Sequence, residues 1–205
     1  RIQAKLFAYL EPPEQVIRRY PLSDNSLTAD IAHAVYYMRK KNLPRALEYA
    51  DKLIKAEPDN PYFWEIKGQA LFEGGKPTEA VAAYRRMLEL KPESEQFKLA
   101  YAEAVIATGA PHSELQKLIP LLEQANRNRA WPSAYRLLGQ IYAALGENGT
   151  ADYFAAEYNY AVGDRVIARR QLAKALKQQL PPNIRLRAED LNVKFKQALK
   201  KKSLF

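Results

Sequence analysis

The chain has 205 residues, 32 Lys/Arg against 23 Asp/Glu, a formal net charge of +9 and 47% hydrophobic residues. That apolar content supports a packed core and excludes disorder throughout. The lack of cysteine excludes a disulfide scaffold, a CxxC redox pair and any thiolate zinc site.

The chain opens at Arg1, with neither an initiator Met nor the apolar stretch of a signal peptide, so it is expected to be a piece of a longer or processed protein. Residues 2–10 read as a short helix, Pro12-Pro13 breaks it, and residues 14–20 read as another helical turn. The linker Tyr20-Pro21-Leu22-Ser23-Asp24-Asn25-Ser26 is rich in capping residues and launches the first long helix. From there a period of 34 appears. Ala46 and Ala80, Ile54 and Leu88, and Pro58 and Pro92 each recur at that spacing. Around them, Tyr37-Met38, Leu43, Ala50 and Leu53 in one unit and Trp64, Gly68, Leu71-Phe72 and Tyr84 in the next give apolar faces at helical spacing. Each unit reads as helix, turn, helix and proline stop. Small residues (Ala34, Ala46, Gly68, Ala80) fall where paired helices would cross most closely, and Tyr37, Leu71 and Tyr84 are large where the pair leaves room.

Two later units are looser. Residues 97–108 and 113–125 form a third pair without a closing proline, with Glu114 where a small residue is expected. Residues 133–145, with Leu138-Gly139 and Tyr142, restore the first-helix pattern, followed by a helix over 150–162. Another helix follows Gly163-Asp164, at 165–179, so 150–162 is expected to serve as second helix of one pair and first of the next. A final amphipathic helix at 183–201 would cap the stack. No strand-like alternation occurs, and no apolar run reaches the roughly 18 residues that span a bilayer; Arg136 interrupts the best candidate, 132–146.

The period and its residue types resemble the tetratricopeptide (TPR) repeat. The resemblance implies an all-α, TPR-like α-solenoid of helix-turn-helix repeats (27–60, 61–94, 95–130 and 131–182), with short N-terminal helices and a C-terminal capping helix. A narrower resemblance rests on Lys5-Leu6-Phe7-Ala8-Tyr9-Leu10-Glu11-Pro12-Pro13 and Arg18-Arg19-Tyr20-Pro21-Leu22-Ser23-Asp24-Asn25-Ser26. Asn60-Pro61-Tyr62-Phe63, the run Lys67 to Glu73, and residues 186–191 extend it. Together they resemble the BepA-like periplasmic zinc metalloproteases, which carry an HExxH protease domain followed by a TPR domain. The resemblance implies that residues 1–26 lead in from a missing protease domain, and that the chain is the family's interaction half. It also implies a periplasmic location, a role in outer-membrane protein quality control, and zinc held by the missing domain.

None of the family's catalytic residues can be carried onto this chain. An HExxH helix needs two imidazoles one turn apart; the only histidines, His33 and His112, are 79 residues apart. The chain itself is therefore read as non-catalytic and without a cofactor, and its parent as a zinc metalloendopeptidase. His33 is expected to pack against its partner helix, and His112 to sit at a solvated turn or helix start. Gly74-Gly75-Lys76-Pro77-Thr78 lacks the GxxxxGK[ST] spacing and a preceding strand, so it reads as an inter-helix turn.

Two surfaces are candidates for a protein or peptide partner. First helices of successive TPR pairs line a concave face, which would present Ile31, Val35 and Met38, then Tyr62, Glu65, Gln69 and Phe72. Gln96, Leu99, Glu103 and Ile106 come next, and after them Arg136, Gln140 and Ala143. Some of these, Met38 and Phe72 foremost, are alternatively buried by the adjoining pair. TPR co-chaperones that hold a C-terminal carboxylate use Lys and Asn where this chain has Ile31 and Val35, which argues against that mode. The second surface is basic. Residues 1–164 hold 20 Lys/Arg and 21 Asp/Glu, whereas residues 165–205 hold 12 and 2. Arg165, Arg169, Arg170, Lys174 and Lys177 recur at helical spacing, as do Lys194, Lys196 and Lys200–Lys202. They suit an acidic partner such as the missing protease domain in cis, an anionic membrane surface, or simply a solvated cap. No reading motif accompanies the charge, which argues against nucleic acid. A self-standing cytoplasmic TPR adaptor is the alternative to the protease module.

Overall fold

A computed structural model describes residues 1–127 and 129–202, with side chains as far as Gln197. The described residues form helices and no strands. They divide into two compact units, Arg1–Gly109 and Ala110–Phe205.

Unit 1 begins with α1 (Ile2–Leu10) and α2 (Pro13–Arg19). Two helix pairs follow: α3 (Leu27–Arg39) with α4 (Leu43–Ala56), and α5 (Pro61–Glu73) with α6 (Pro77–Leu90). Helix α7 (Glu95–Ala107) then packs on α6. The helix starts obey local chemistry. Ser26, Asn60 and Ser94 accept from the amides of Ala29, Tyr62 and Phe97, and α4, α5 and α6 each carry a proline in the first turn. Pro58 and Pro92 lie just past the C-caps of α4 and α6, where the missing amide donor stops the helix.

The turns inside the pairs repeat in their backbone as well as their sequence. Lys41, Gly75 and Gly109, 34 residues apart, have φ of 56°, 77° and 68°. The amides of Asn42 and Lys76 reach back to the carbonyls of Tyr37 and Leu71, both at 2.9 Å, closing the helix with a left-handed residue. Glycine takes that conformation without penalty; Lys41 is the one non-glycine among the described residues that does so.

Packing within α5–α6 is set by a single approach. A Cβ built on Gly68 would lie 2.4 Å from Cδ1 of Tyr84, whose ring is buried. The ring therefore rests on the α5 backbone. Ala34, Ala46 and Ala80 are likewise fully buried. Gly139, which occupies the matching first-helix position further along, is looser: its nearest neighbour would be the Ala151 carbonyl oxygen at 3.6 Å.

Unit 2 contains α8 (His112–Ala125), α9 (Pro132–Ala144), α10 (Asn148–Ala161), α11 (Arg165–Leu176) and α12 (Pro182–Lys202). Helix α10 packs comparably on α9 and on α11, the double role expected for 150–162. Tyr142 stacks on Phe154 at 5.4 Å, and the Arg187 guanidinium of α12 lies 5.4 and 5.5 Å from the rings of Tyr153 and Phe154. Helix α8 runs through Pro120, which sits on its exposed side. The segment 95–130, read as a third pair, is where the two units divide, so α7 belongs to unit 1 and α8 to unit 2.

Gly68→Leu is expected to lower stability by about 1–3 kcal/mol through overpacking against Tyr84. Gly139→Ala should be neutral or stabilising by up to roughly 1 kcal/mol, because it gains helix propensity without a clash. Denaturant melts of the two variants check the contrast; equal effects would refute it.

Candidate functional site

The face expected to form the start of the groove carries α1. This helix packs along α3, where its small residues Ala4 and Ala8 are buried. Arg39, in the last turn of α3, donates from Nη1 to the Ala8 carbonyl at 2.6 Å and also to that of Glu11. One guanidinium thus satisfies carbonyls that the end of α1 leaves without intrahelical donors. Lys5 pairs with Glu65 of α5 at 2.9 Å, and Arg1 pairs with Glu57 at 2.6 Å. The Arg19 guanidinium of α2 lies 4.7 Å from the centre of the Phe7 ring. Ala8 and Val16 join Ile31, Val35 and Met38 in one apolar cluster with Phe63, Ile66 and Ala70 of α5.

This corrects the expectation for the first three candidates. Ile31, Val35 and Met38 are buried, at 3%, 0% and 5% exposure, because α1 and α2 complete the core over α3. The open part of unit 1 lies on α5 and α7. Tyr62 is 46% exposed; its ring meets Phe97 edge-on at 5.6 Å, and its hydroxyl accepts from Lys91 at 3.0 Å, which raises that lysine's pKa. Gln69 donates to Glu73 at 2.8 Å, Gln96 is exposed, and Glu65, Phe72, Leu99, Glu103 and Ile106 are half-buried. Burial pushes the Tyr9 and Tyr84 hydroxyls well above the usual tyrosine range, and the nearby Glu65 and Glu73 carboxylates add to it. This stretch of α5 is therefore polar, acidic and aromatic in one place. Arg136 and Gln140 belong to unit 2, on α9, with Arg136 half-buried and Gln140 and Ala143 exposed.

Residues 31–95 match the tetratricopeptide repeat family. The chain folds as a TPR-like solenoid. No curated protein matches it. Among solved structures it is similar to MamA AMB-1, with a TM-score of 0.62 and 16% identity over 78% of this chain and 95% of that one. MamA from Desulfovibrio magneticus aligns at a TM-score of 0.55 and 19% identity, over 75% of this chain and 95% of that one. A thermophilic TPR protein from Thermus thermophilus aligns at 0.51 and 18%, over 82% and 100%. At these identities the likeness is one of fold.

The two histidines lie in different surroundings, one in each unit. His33 is fully buried, its Nε2 is 2.9 Å from the Tyr20 carbonyl to which it donates, and its ring packs on Tyr49 at 4.9 Å. It anchors the linker to the first repeat, beyond the packing on its partner helix that was expected. His112 is exposed as the first residue of α8. Among the described residues no three His, Asp or Glu side chains gather as metal ligands.

On the basic side, Arg165, Arg169, Arg170, Lys174 and Lys177 are all exposed on or just past α11. Lys174 alone of the five pairs with an acid among the described residues, Asp152 of α10 at 2.9 Å. Lys194 and Lys196 are exposed on α12, and the side chains of Lys200–Lys202 lie outside the described residues. Arg39 and the Ala4–Ala8 pair were not anticipated as docking residues. The signal available was two alanines four apart on an otherwise bulky helix, the pattern of a close-packed face.

Arg39→Ala should leave the C-terminal end of α1 without its charged donor and destabilise unit 1 by about 1–3 kcal/mol. Amide exchange should accelerate in residues 2–10 while α5–α6 stays protected. Unchanged exchange in α1 would show that apolar packing alone holds it.

Proposed function

We propose that this chain is the non-catalytic, partner-recruiting TPR module of a periplasmic zinc metalloprotease of the BepA-like family. It brings the protease to substrates or to outer-membrane assembly partners in envelope protein quality control. The observation that carries the reading is the docking of α1. The segment Lys5 to Ser26, on which the family resemblance rests, is held on the first repeats by Arg39, by the Lys5–Glu65 pair and by the His33–Tyr20 hydrogen bond. A feature specific to that resemblance is thus part of this TPR fold.

The mechanism is recognition. With α3 covered, α5 and α7 are the helices that meet a partner in unit 1. Tyr62 offers a half-exposed ring steadied by Phe97 and Lys91, suited to anchoring an apolar side chain. Glu65, Gln69 and Glu73 further along α5, and Gln96 at the start of α7, offer acceptors and amides that discriminate among polar partners. Zinc belongs to the HExxH domain that the family places ahead of this module, and the protease domain in cis is one of its partners. A self-standing cytoplasmic adaptor with no enzyme attached is the second reading. It is favoured by the match of residues 31–95 to the tetratricopeptide repeat and by the likeness in fold to a TPR protein from Thermus thermophilus.

The coding sequence ahead of Arg1 separates the two: an HExxH motif and an export signal are expected, and the absence of both would sink the protease reading. Replacing Tyr62 and Gln69 by Ala should weaken partner capture while shifting stability by no more than about 1 kcal/mol. Capture that survives at full strength would move the recruiting surface away from α5.

A further inference from the structure

Unit 2 carries a second feature, independent of the α5–α7 surface. Between α11 and α12 lies a cleft of about 260 Å³ lined by Arg169, Leu172, Ala173, Leu176, Asn192 and Phe195. Its floor is apolar: Leu172 and Phe195 are buried and Leu176 is half-buried. Its volume is below the roughly 300–1,000 Å³ of small-molecule sites, which suits one large side chain of a partner.

The rim has one sign of charge along α11. Arg165, Arg169 and Ala173 follow one another at four-residue spacing, so both arginines stand on the cleft side of the helix. Arg170 and Lys177 extend the positive face, and Arg165, Arg169, Arg170 and Lys177 are in no ion pair among the described residues. No acid lies within α11; Asp164, just before it, is committed to capping the Ile167 amide at 3.0 Å. On α12, Lys196 stands one turn beyond Asn192 on the same face, and the acids of that helix are Glu189 and Asp190. Four unpaired cations beside an apolar slot favour carboxylates and an apolar side chain presented together. A bilayer would instead call for a flat apolar face, and here the apolar surface is recessed between two helices.

We propose that the α11–α12 cleft is a docking site for an acidic peptide segment: one leucine or phenylalanine seated on Leu172, Leu176 and Phe195, flanked by aspartates or glutamates that meet Arg165, Arg169 and Arg170. Desolvation of the seated side chain supplies the affinity, and the arginines supply the approach rate and the choice of acidic over neutral sequences. The site does not depend on the α5–α7 surface, nor on whether a protease precedes the chain.

The test uses the full chain and a short synthetic fluorescent peptide with a central Phe between Asp and Glu residues, read by anisotropy. Saturable binding is expected, weakened about tenfold or more either by Phe→Ser in the peptide or by Arg165→Glu with Arg169→Glu in the protein. Because both arginines are exposed, the melting temperature should hold. Tyr62→Ala with Gln69→Ala should leave this binding unchanged, which separates the cleft from the unit 1 surface. Binding that ignores the peptide's Phe reduces the site to diffuse charge and overturns the proposal. So does a peptide that fails to bind, or one that binds weakly while the chain sediments with phosphatidylserine-containing vesicles in an arginine-dependent way.

Discussion

The contact between Gly68 and the ring of Tyr84 sets the geometry on which the second repeat depends. A helix pair has two apolar faces to bury, and it buries the inner one only as far as its backbones can approach. At Gly68 there is no Cβ, so the Tyr84 ring lies directly on α5. That approach brings Leu71, Ala80, Ala83 and Met87 into one cluster with Phe97 of the following helix. Only one outer face then needs covering by a neighbour, which is the condition for stacking repeats. The same approach orients α5 so that Tyr62 and Gln69, seven residues apart, fall away from the Tyr84 ring, while Phe72 packs against the cluster. Function on that helix is thus a consequence of how its inner side is packed.

The first repeat meets the same condition differently. The outer face of α3 is strongly apolar, with Ile31, Val35 and Met38 along one stripe, and among the described residues no preceding repeat covers it. Helices α1 and α2 do so instead. Ala4 and Ala8 allow close approach, and Arg39 removes the difficulty of a short helix whose terminal carbonyls would otherwise compete for water. What reads as a binding stripe is therefore a seam of the core. The recruiting surface of unit 1 moves one helix along, to where Tyr62 is kept half-exposed by an edge-on ring and a lysine.

Much of the fold was legible because the repeat constrains residue type at several points of one period. Pro58 and Pro92 marked helix ends, the small residues marked the crossings, and Gly74-Gly75 marked an inter-helix turn, which the structure closes with Gly75 in the left-handed region. Lys41, in the same turn 34 residues earlier, carries no such mark; its conformation is imposed by the 2.9 Å bond from Asn42 to Tyr37 rather than by its own preference. Helix α8 could be placed although Pro120 lies inside it, since its apolar spacing continues through the proline. The covering of α3 was not legible for a specific reason. An apolar stripe at helical spacing looks the same whether it meets a ligand or the chain's own helix; of the residues that decide, Ala4 and Ala8 lie outside the periodic region, and Arg39 lies inside the first repeat at a position the period does not mark. The α11–α12 cleft was half legible: the basic side chains stood out in composition, but the apolar floor beside them depends on how two helices meet.

Charge divides along the same lines as packing. Residues 1–109 carry 16 Lys/Arg and 15 Asp/Glu, and residues 110–205 carry 16 and 8. In unit 1 the charges largely serve the fold: Arg1, Lys5, Lys67 and Arg86 all pair with carboxylates on other helices or turns. Exposed pairs of this kind contribute little stability each, about 0–1 kcal/mol, yet they fix which helix faces lie together. On α11 most of the cations have no such partner, and an unpaired arginine on a folded surface stabilises nothing. It keeps its full attraction for an anion arriving from outside. Were these side chains only a solvated cap, lysine would serve as well as arginine and no apolar slot would be needed beside them. The coincidence of three arginines with the Leu172–Phe195 cleft is what turns an excess of charge into a site with a definite shape.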